Sequence, residues 1–202
     1  MKSMYVNKAV VAFAALLCVA TSLVLFAQST PAKAPNVTYT ATGTFATPPV
    51  SGVDVFKLAG QDFTISIVAN EATVPTTHGA QWAKYTKLGM SGTVVSALFP
   101  TPFAISSSNS AIELATGNPS YNVFAMFSPI TVLGQAVYIT AVLQMPTGTM
   151  IKPLIGPFTA PVTLGPTSGT VTYLSPGTGS STVLNIASGT LSTAVSGAPT
   201  TH

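Results

Sequence analysis

Apolar and hydroxyl residues alternate along much of this chain with the two-residue period of a half-buried β-strand. Residues 37–45, Val-Thr-Tyr-Thr-Ala-Thr-Gly-Thr-Phe, carry threonine at every second position, and residues 63–67, Phe-Thr-Ile-Ser-Ile, alternate more strictly still. The segments 93–99, 111–115, 121–127, 135–144, 170–174, 182–187 and 190–195 follow in the same style, rich in β-branched residues. Between them stand turn formers: residues 47–52, Gly117-Asn118-Pro119, Pro146-Thr147-Gly148, Gly165-Pro166 and residues 175–179. Short strands at close, fairly even spacing and without a helical period predict an all-β fold. The expected architecture is a two-sheet antiparallel β-sandwich, jelly-roll or immunoglobulin-like, with a small β-barrel as the alternative. Residues 52–60 fit the pattern poorly and read either as a short helical turn or as strand and loop.

One local motif recurs: a small or hydroxyl residue, then Gly-Thr, then usually an apolar residue. It occurs at Gly43-Thr44, Gly92-Thr93, Gly148-Thr149, Gly169-Thr170 and Gly189-Thr190. The spacing is irregular, so a ligand-binding repeat array is not indicated. A turn or bulge glycine beside a strand, with threonine opening the ladder, accounts for it.

The first thirty residues depart from this pattern altogether. Lys2 and Lys8 precede an apolar run from Ala9 to Ala27, interrupted only by Thr21 and Ser22, and small residues at Ala27 and Ser29 supply a signal-peptidase site. The run is long enough to serve as an uncleaved anchor, but Pro31 and Pro35 stop a helix soon after it. The segment is therefore expected to be a cleavable export signal of residues 1–29. A single β-domain of residues 30–197 and a short flexible tail of residues 198–202 follow, placing the protein in the cell envelope, periplasmic, or outside the cell. Cys18 lies inside the apolar run behind Leu17, a poor context for lipid modification.

Removing the signal changes the composition. It takes away the sole cysteine, leaving an exported domain without disulfides, which a chain of this length can stabilise by an ordinary core. It also removes two of the seven lysines. What remains is Lys33, Lys57, Lys84, Lys87 and Lys152 against Asp54, Asp62, Glu71 and Glu113, so the overall charge of +3 falls close to neutrality. Arginine is absent throughout. With no basic stripe and no guanidinium fork for phosphates, nucleic acid is not an expected partner. Charged residues make up only 5% of the chain, so hydration must come from hydroxyls and amides.

Chemistry concentrates in one stretch, residues 70–87. Asn70, Glu71, His78, Gln81, Trp82 and Tyr85 gather a carboxylate, the only histidine of the body, two amides and the only tryptophan. As a binding loop, Trp82 and Tyr85 would stack on a sugar ring or another flat ligand while Asn70, Glu71, His78 and Gln81 hydrogen-bond at the rim. The plainer reading is a long connection in which Trp82 plugs the core and Glu71 or His78 caps a turn.

Catalytic signatures are weak. His78 and the terminal His202 are the only imidazoles, no Gly-x-Ser-x-Gly elbow exists, and nothing in the spacing of the four carboxylates brings two of them together. No cofactor is expected; zinc is disfavoured for want of cysteines or paired histidines, and the calcium-loop pattern is missing. An eight-stranded outer-membrane barrel needs strands of about ten residues and an aromatic ending, and most segments look too short. The expected function is a non-enzymatic binding, adhesion or structural role at the cell envelope or outside the cell. The expected partner is a neutral polysaccharide or other protein subunits, with no membrane span once the signal is cleaved. A secreted hydrolase acting on a neutral polymer and a small outer-membrane β-barrel are the alternatives.

Overall fold

In a computed structural model that describes residues 33–132, 135–150, 152–174 and 179–197, the alternating segments pair edge to edge until the sheet meets itself. Ten strands follow in chain order among these residues: β1 (Asn36–Phe45), β2 (Asp62–Asn70), β3 (Thr77–His78), β4 (Trp82–Val94), β5 (Phe103–Ala115), β6 (Tyr121–Val132), β7 (Gln135–Pro146), β8 (Val162–Leu164), β9 (Gly169–Leu174) and β10 (Ser181–Ser196). Neighbours run β1-β2-β4-β5-β6-β7-β9-β10, all antiparallel, and β10 returns to pair with β1 from Asn36↔Ser196 to Phe45↔Ile186. The result is a closed eight-stranded barrel. Strand β8 lies beside the far half of β10, and β3 adds a two-residue edge to β4. Residues 1–29, expected to be an export signal, Cys18 and the expected tail of residues 198–202 lie outside the described residues.

Closure gives the small β-barrel that stood as the alternative, in place of the expected sandwich. Two features of the sequence hid it. First, polar punctuation that reads as turns falls inside long strands: Ser188-Gly189 sits within the sixteen-residue β10, and the serines of residues 106–110 within β5. Residues 70–87, read as one long connection, contain the start of β4. Second, the Gly-Thr motif marks close strand approach at three of its five sites. Gly43 and Gly189 face each other across the β1–β10 ladder, and a Cβ on either would run into backbone of the other strand, the Ser188 carbonyl oxygen in one case and the Thr42 carbonyl oxygen in the other. Gly92 stands against the Thr64 carbonyl in the same way. Lacking side chains, these strands coil tightly enough to bend the sheet around. Of the remaining two, Gly169 opens β9 and Gly148 occupies a turn with φ of 85°.

Inward-facing residues fill the barrel. Tyr39, Ile67, Ile112, Leu114, Leu143, Leu184 and Ile186 are essentially without solvent contact, and Phe45 stacks on Phe63 with ring centroids 4.6 Å apart. Two residual cavities of about 30 and 20 Å³ have almost wholly apolar linings, which do not hold water. Every buried side-chain nitrogen and oxygen among the described residues has a hydrogen-bond partner. On the outward face of β10, β1, β2, β4 and β5, Ser192, Thr40, Ser66, Ser91 and Ser106 stand side by side. Thr40 and Ser66 share a hydrogen bond of 2.9 Å.

Both ends are stoppered by connections. At one end, residues 46–61 drop Phe56 and Leu58 into the barrel, and the buried Asp54 accepts hydrogen bonds from Tyr173 Oη at 2.8 Å and from the Ala59 amide at 2.8 Å. The ambiguous stretch 52–60 is thus an irregular plug, its apolar residues spent on the core. At the other end, residues 147–161 bring in Met150, Ile155 and Phe158, the last packing against Tyr39 at 5.4 Å between centroids. One seam is short: β5 meets β6 only over Ala111–Ala115 and Val123–Phe127. Just past it stands Pro129, which keeps its place beside β7 because a proline can lack its N–H on a side that has no ladder to serve.

Candidate functional site

The stopper of residues 147–161 also forms a surface. Four inward side chains hold it from below: Asn122 donates to the Met150 carbonyl at 3.1 Å, Tyr85 to the Pro153 carbonyl at 3.1 Å, and Tyr39 to the Gly156 carbonyl at 3.1 Å, while Thr193 Oγ1 accepts from the Phe158 amide at 2.9 Å. The Gly156 amide in turn donates to Tyr39 Oη at 3.0 Å. Burial pushes the Tyr39 hydroxyl up to about 12 and raises that of Tyr85 as well, so both keep the protons these bonds use. A connection of this length is otherwise free to move; here it is fixed at four points.

Against this rigid segment leans the β3–β4 hairpin. Its turn is closed by the Gly79 amide donating to the Trp82 carbonyl at 2.8 Å, and the Thr76 amide donates to the Lys84 carbonyl at 2.8 Å. The Trp82 indole lies over Gly79, where any Cβ would strike its ring nitrogen. Glycine at that position leaves room for the indole against the turn. Between hairpin and stopper is a concavity of about 380 Å³, walled by Pro75, His78, Trp82, Lys152, Pro153 and Leu154. Trp82 remains 40% exposed and Leu154 56% exposed on its walls. A second concavity of about 370 Å³ lies on the other side of the Lys152–Leu154 ridge, toward Thr149, Pro157 and Thr159.

Of the six residues singled out by sequence, the fold brings His78 and Trp82 to this cleft. Gln81 sits on the same turn but lays its side chain over Gly117. Tyr85 is a core residue, 1% exposed, and acts on the cleft only by holding Pro153 from beneath, so its expected stacking role is corrected. Asn70 is a structural staple: its amide donates to the Ala34 carbonyl at 2.7 Å and to Asn36 Oδ1 at 2.9 Å, and its Oδ1 caps the Ala72 amide. The Glu71 amide bonds the Pro35 carbonyl while its side chain is exposed. The plug reading of Trp82 is likewise overturned, since β4 begins there with its side chain outward and Ala83 inward.

Sequence reasoning missed Lys152, Pro153 and Leu154. The available signal was length: the run from residue 147 to 161, with three prolines and no alternation, is at the limit of about 12–15 residues beyond which connections tend to be functional. Catalytic convergence is not seen. Asp54 is engaged at the opposite stopper, Asp62 accepts from Thr44 on the outer surface at 2.6 Å, and Glu113 stands opposite Lys84 on the β4–β5 ladder. No group of three or more His, Cys, Asp or Glu is disposed to hold a metal among the described residues. The chain matches no protein-family model, no curated protein and no solved structure.

Proposed function

We propose that this protein is an exported, non-enzymatic glycan-binding module that seats a sugar ring on Trp82 in the cleft at the hairpin end of the barrel. The observation that carries the reading is a tryptophan, 40% exposed and packed against a glycine turn, beside a concavity whose other wall belongs to a connection anchored at four points. A rigid aromatic face next to immobile walls loses little entropy on binding, and the apolar face of a pyranose fits it. His78, Lys152 and exposed backbone supply the polar rim.

The hydroxyl-bearing part of the outer surface supports a water-facing barrel. Threonines and serines face out on β10, β1, β2, β4 and β5 and apolar side chains fill the lumen, whereas the outward face of β6 and β7 carries Val123, Phe127, Tyr138 and Val142. Strand length, which argued from sequence against a membrane barrel, no longer does, because β4 to β7 and β10 run to twelve residues or more. The hydrolase alternative lacks a carboxylate among the cleft walls.

Glycan arrays and calorimetry on the chain from residue 30 onward test the proposal. Trp82→Ala should weaken saccharide binding by about tenfold or more with an unchanged unfolding midpoint. Wild-type protein that binds no saccharide, a Trp82→Ala variant that binds as well as wild type, or release of reducing ends from a polysaccharide would each overturn it.

A further inference from the structure

The two concavities meet at one ridge and share Lys152 and Leu154. Their walls hold two ionisable side chains, Lys152 and His78, and both are of the cationic type. Each concavity is near 370–380 Å³, at the low end of the range for small-ligand sites, of a size for one or two rings. Hydroxyls enter from Thr149 and Thr159 on the far side, the indole from Trp82 on the near side. One lysine, Lys152, thus serves both concavities, and no carboxylate stands among their walls.

We propose that the cleft takes a linear acidic polysaccharide, at least two sugar units long, laid across the ridge with one unit on Trp82, the next beyond Leu154, and a carboxylate at Lys152. This rests on the glycan reading above and sharpens it from a sugar to a uronate chain. It also departs from the expectation of a neutral polymer, which followed from the charge of the whole chain; the cleft has its own. Lysine suits the task as a flexible point charge that follows a carboxylate on either side of the ridge. The exposure of the ridge makes the attraction sensitive to salt.

Oligogalacturonates of increasing length, their methyl esters and polyglutamate are the probes. Galacturonate oligomers should bind about tenfold more tightly than the matched methyl esters, with the advantage lost in Lys152→Gln and reduced by added salt. Affinity should rise from monomer to trimer, and Thr159→Trp, which obstructs the second concavity, should reduce the trimer to the affinity of the monomer. Equal binding of esters and acids that still depends on Trp82 would overturn this proposal and leave the glycan reading intact. The uronate chain is equally overturned if Lys152→Gln weakens both probes alike, if the monomer binds as tightly as the trimer, or if polyglutamate competes equally. Failure of every saccharide to bind removes both readings.

Discussion

Gly43 and Gly189 show how far a single hydrogen in place of a methyl group decides the shape of this molecule. Each faces backbone of the adjoining strand at a distance that no Cβ tolerates. Gly43→Ala must therefore push β1 from β10 and should destabilise by roughly 1–3 kcal/mol, the range for overpacking. Gly89→Ala, on β4 with open space around it, should stay within about 0.5 kcal/mol of wild type. Urea midpoints distinguish the two, and equal effects would remove close approach as the reason for the glycines. These residues also mark where sequence stopped being legible. Alternation in β1 and β2 was plain because threonine and apolar residues differ in polarity at every step. A glycine that allows close approach has the same letters as one that turns, and only pairing tells them apart. Trp82 was legible as chemically unusual but not as exposed, because its direction depends on where β4 begins. Lys152 and Leu154 carried no mark beyond the length of the connection that holds them; a partner from residues 75–82 gives them meaning.

Among the elements, the stopper of residues 147–161 joins stability to the site. Its bonds to Tyr39 and Tyr85 require protonated phenols, and Tyr39 holds its proton to about pH 12 whereas an unfolded tyrosine releases it near pH 10. In that window the folded state binds more protons than the unfolded one, so stability falls as pH rises; below pH 10 the contribution is complete. The loss from Tyr39 is on the order of 2 kcal/mol by pH 12. Tyr39→Phe should lower stability at neutral pH by about 1 kcal/mol through the missing hydrogen bonds, yet flatten the decline above pH 10. Denaturant midpoints measured across that range test this, and an unaltered slope would contradict it. Strand existence was mostly predictable, but strand length was not. Serine-rich stretches in β5 and β10 read as breaks because hydroxyls such as those of Ser106 and Ser108 face water on the outside of a sheet, while Ser110 turns inward to share a hydrogen bond with Ser128, settings that composition does not reveal.

At the scale of the whole molecule, an outer surface rich in hydroxyls replaces the usual coat of charge. Hydroxyls keep much of the barrel hydrated with few charges. The N-terminal segment gives a prediction at the same scale. Protein exported by a bacterial host should begin at Thr30 when its mass is measured, and full-length chain retained in the membrane fraction would favour the anchor instead. Sandwich and barrel share strands, alternation and turns, and differ in whether the first strand finds the last; no stretch of sequence shorter than the whole encodes that. The ladder from Asn36↔Ser196 to Phe45↔Ile186 has a consequence in time. Its first half is made early in synthesis and its second half last, so the cylinder cannot shut on a partial chain. Contacts so distant in sequence form slowly. A polypeptide that closes only with its last strand stays threadable meanwhile, which would suit passage through a narrow translocation channel if residues 1–29 act as the proposed export signal.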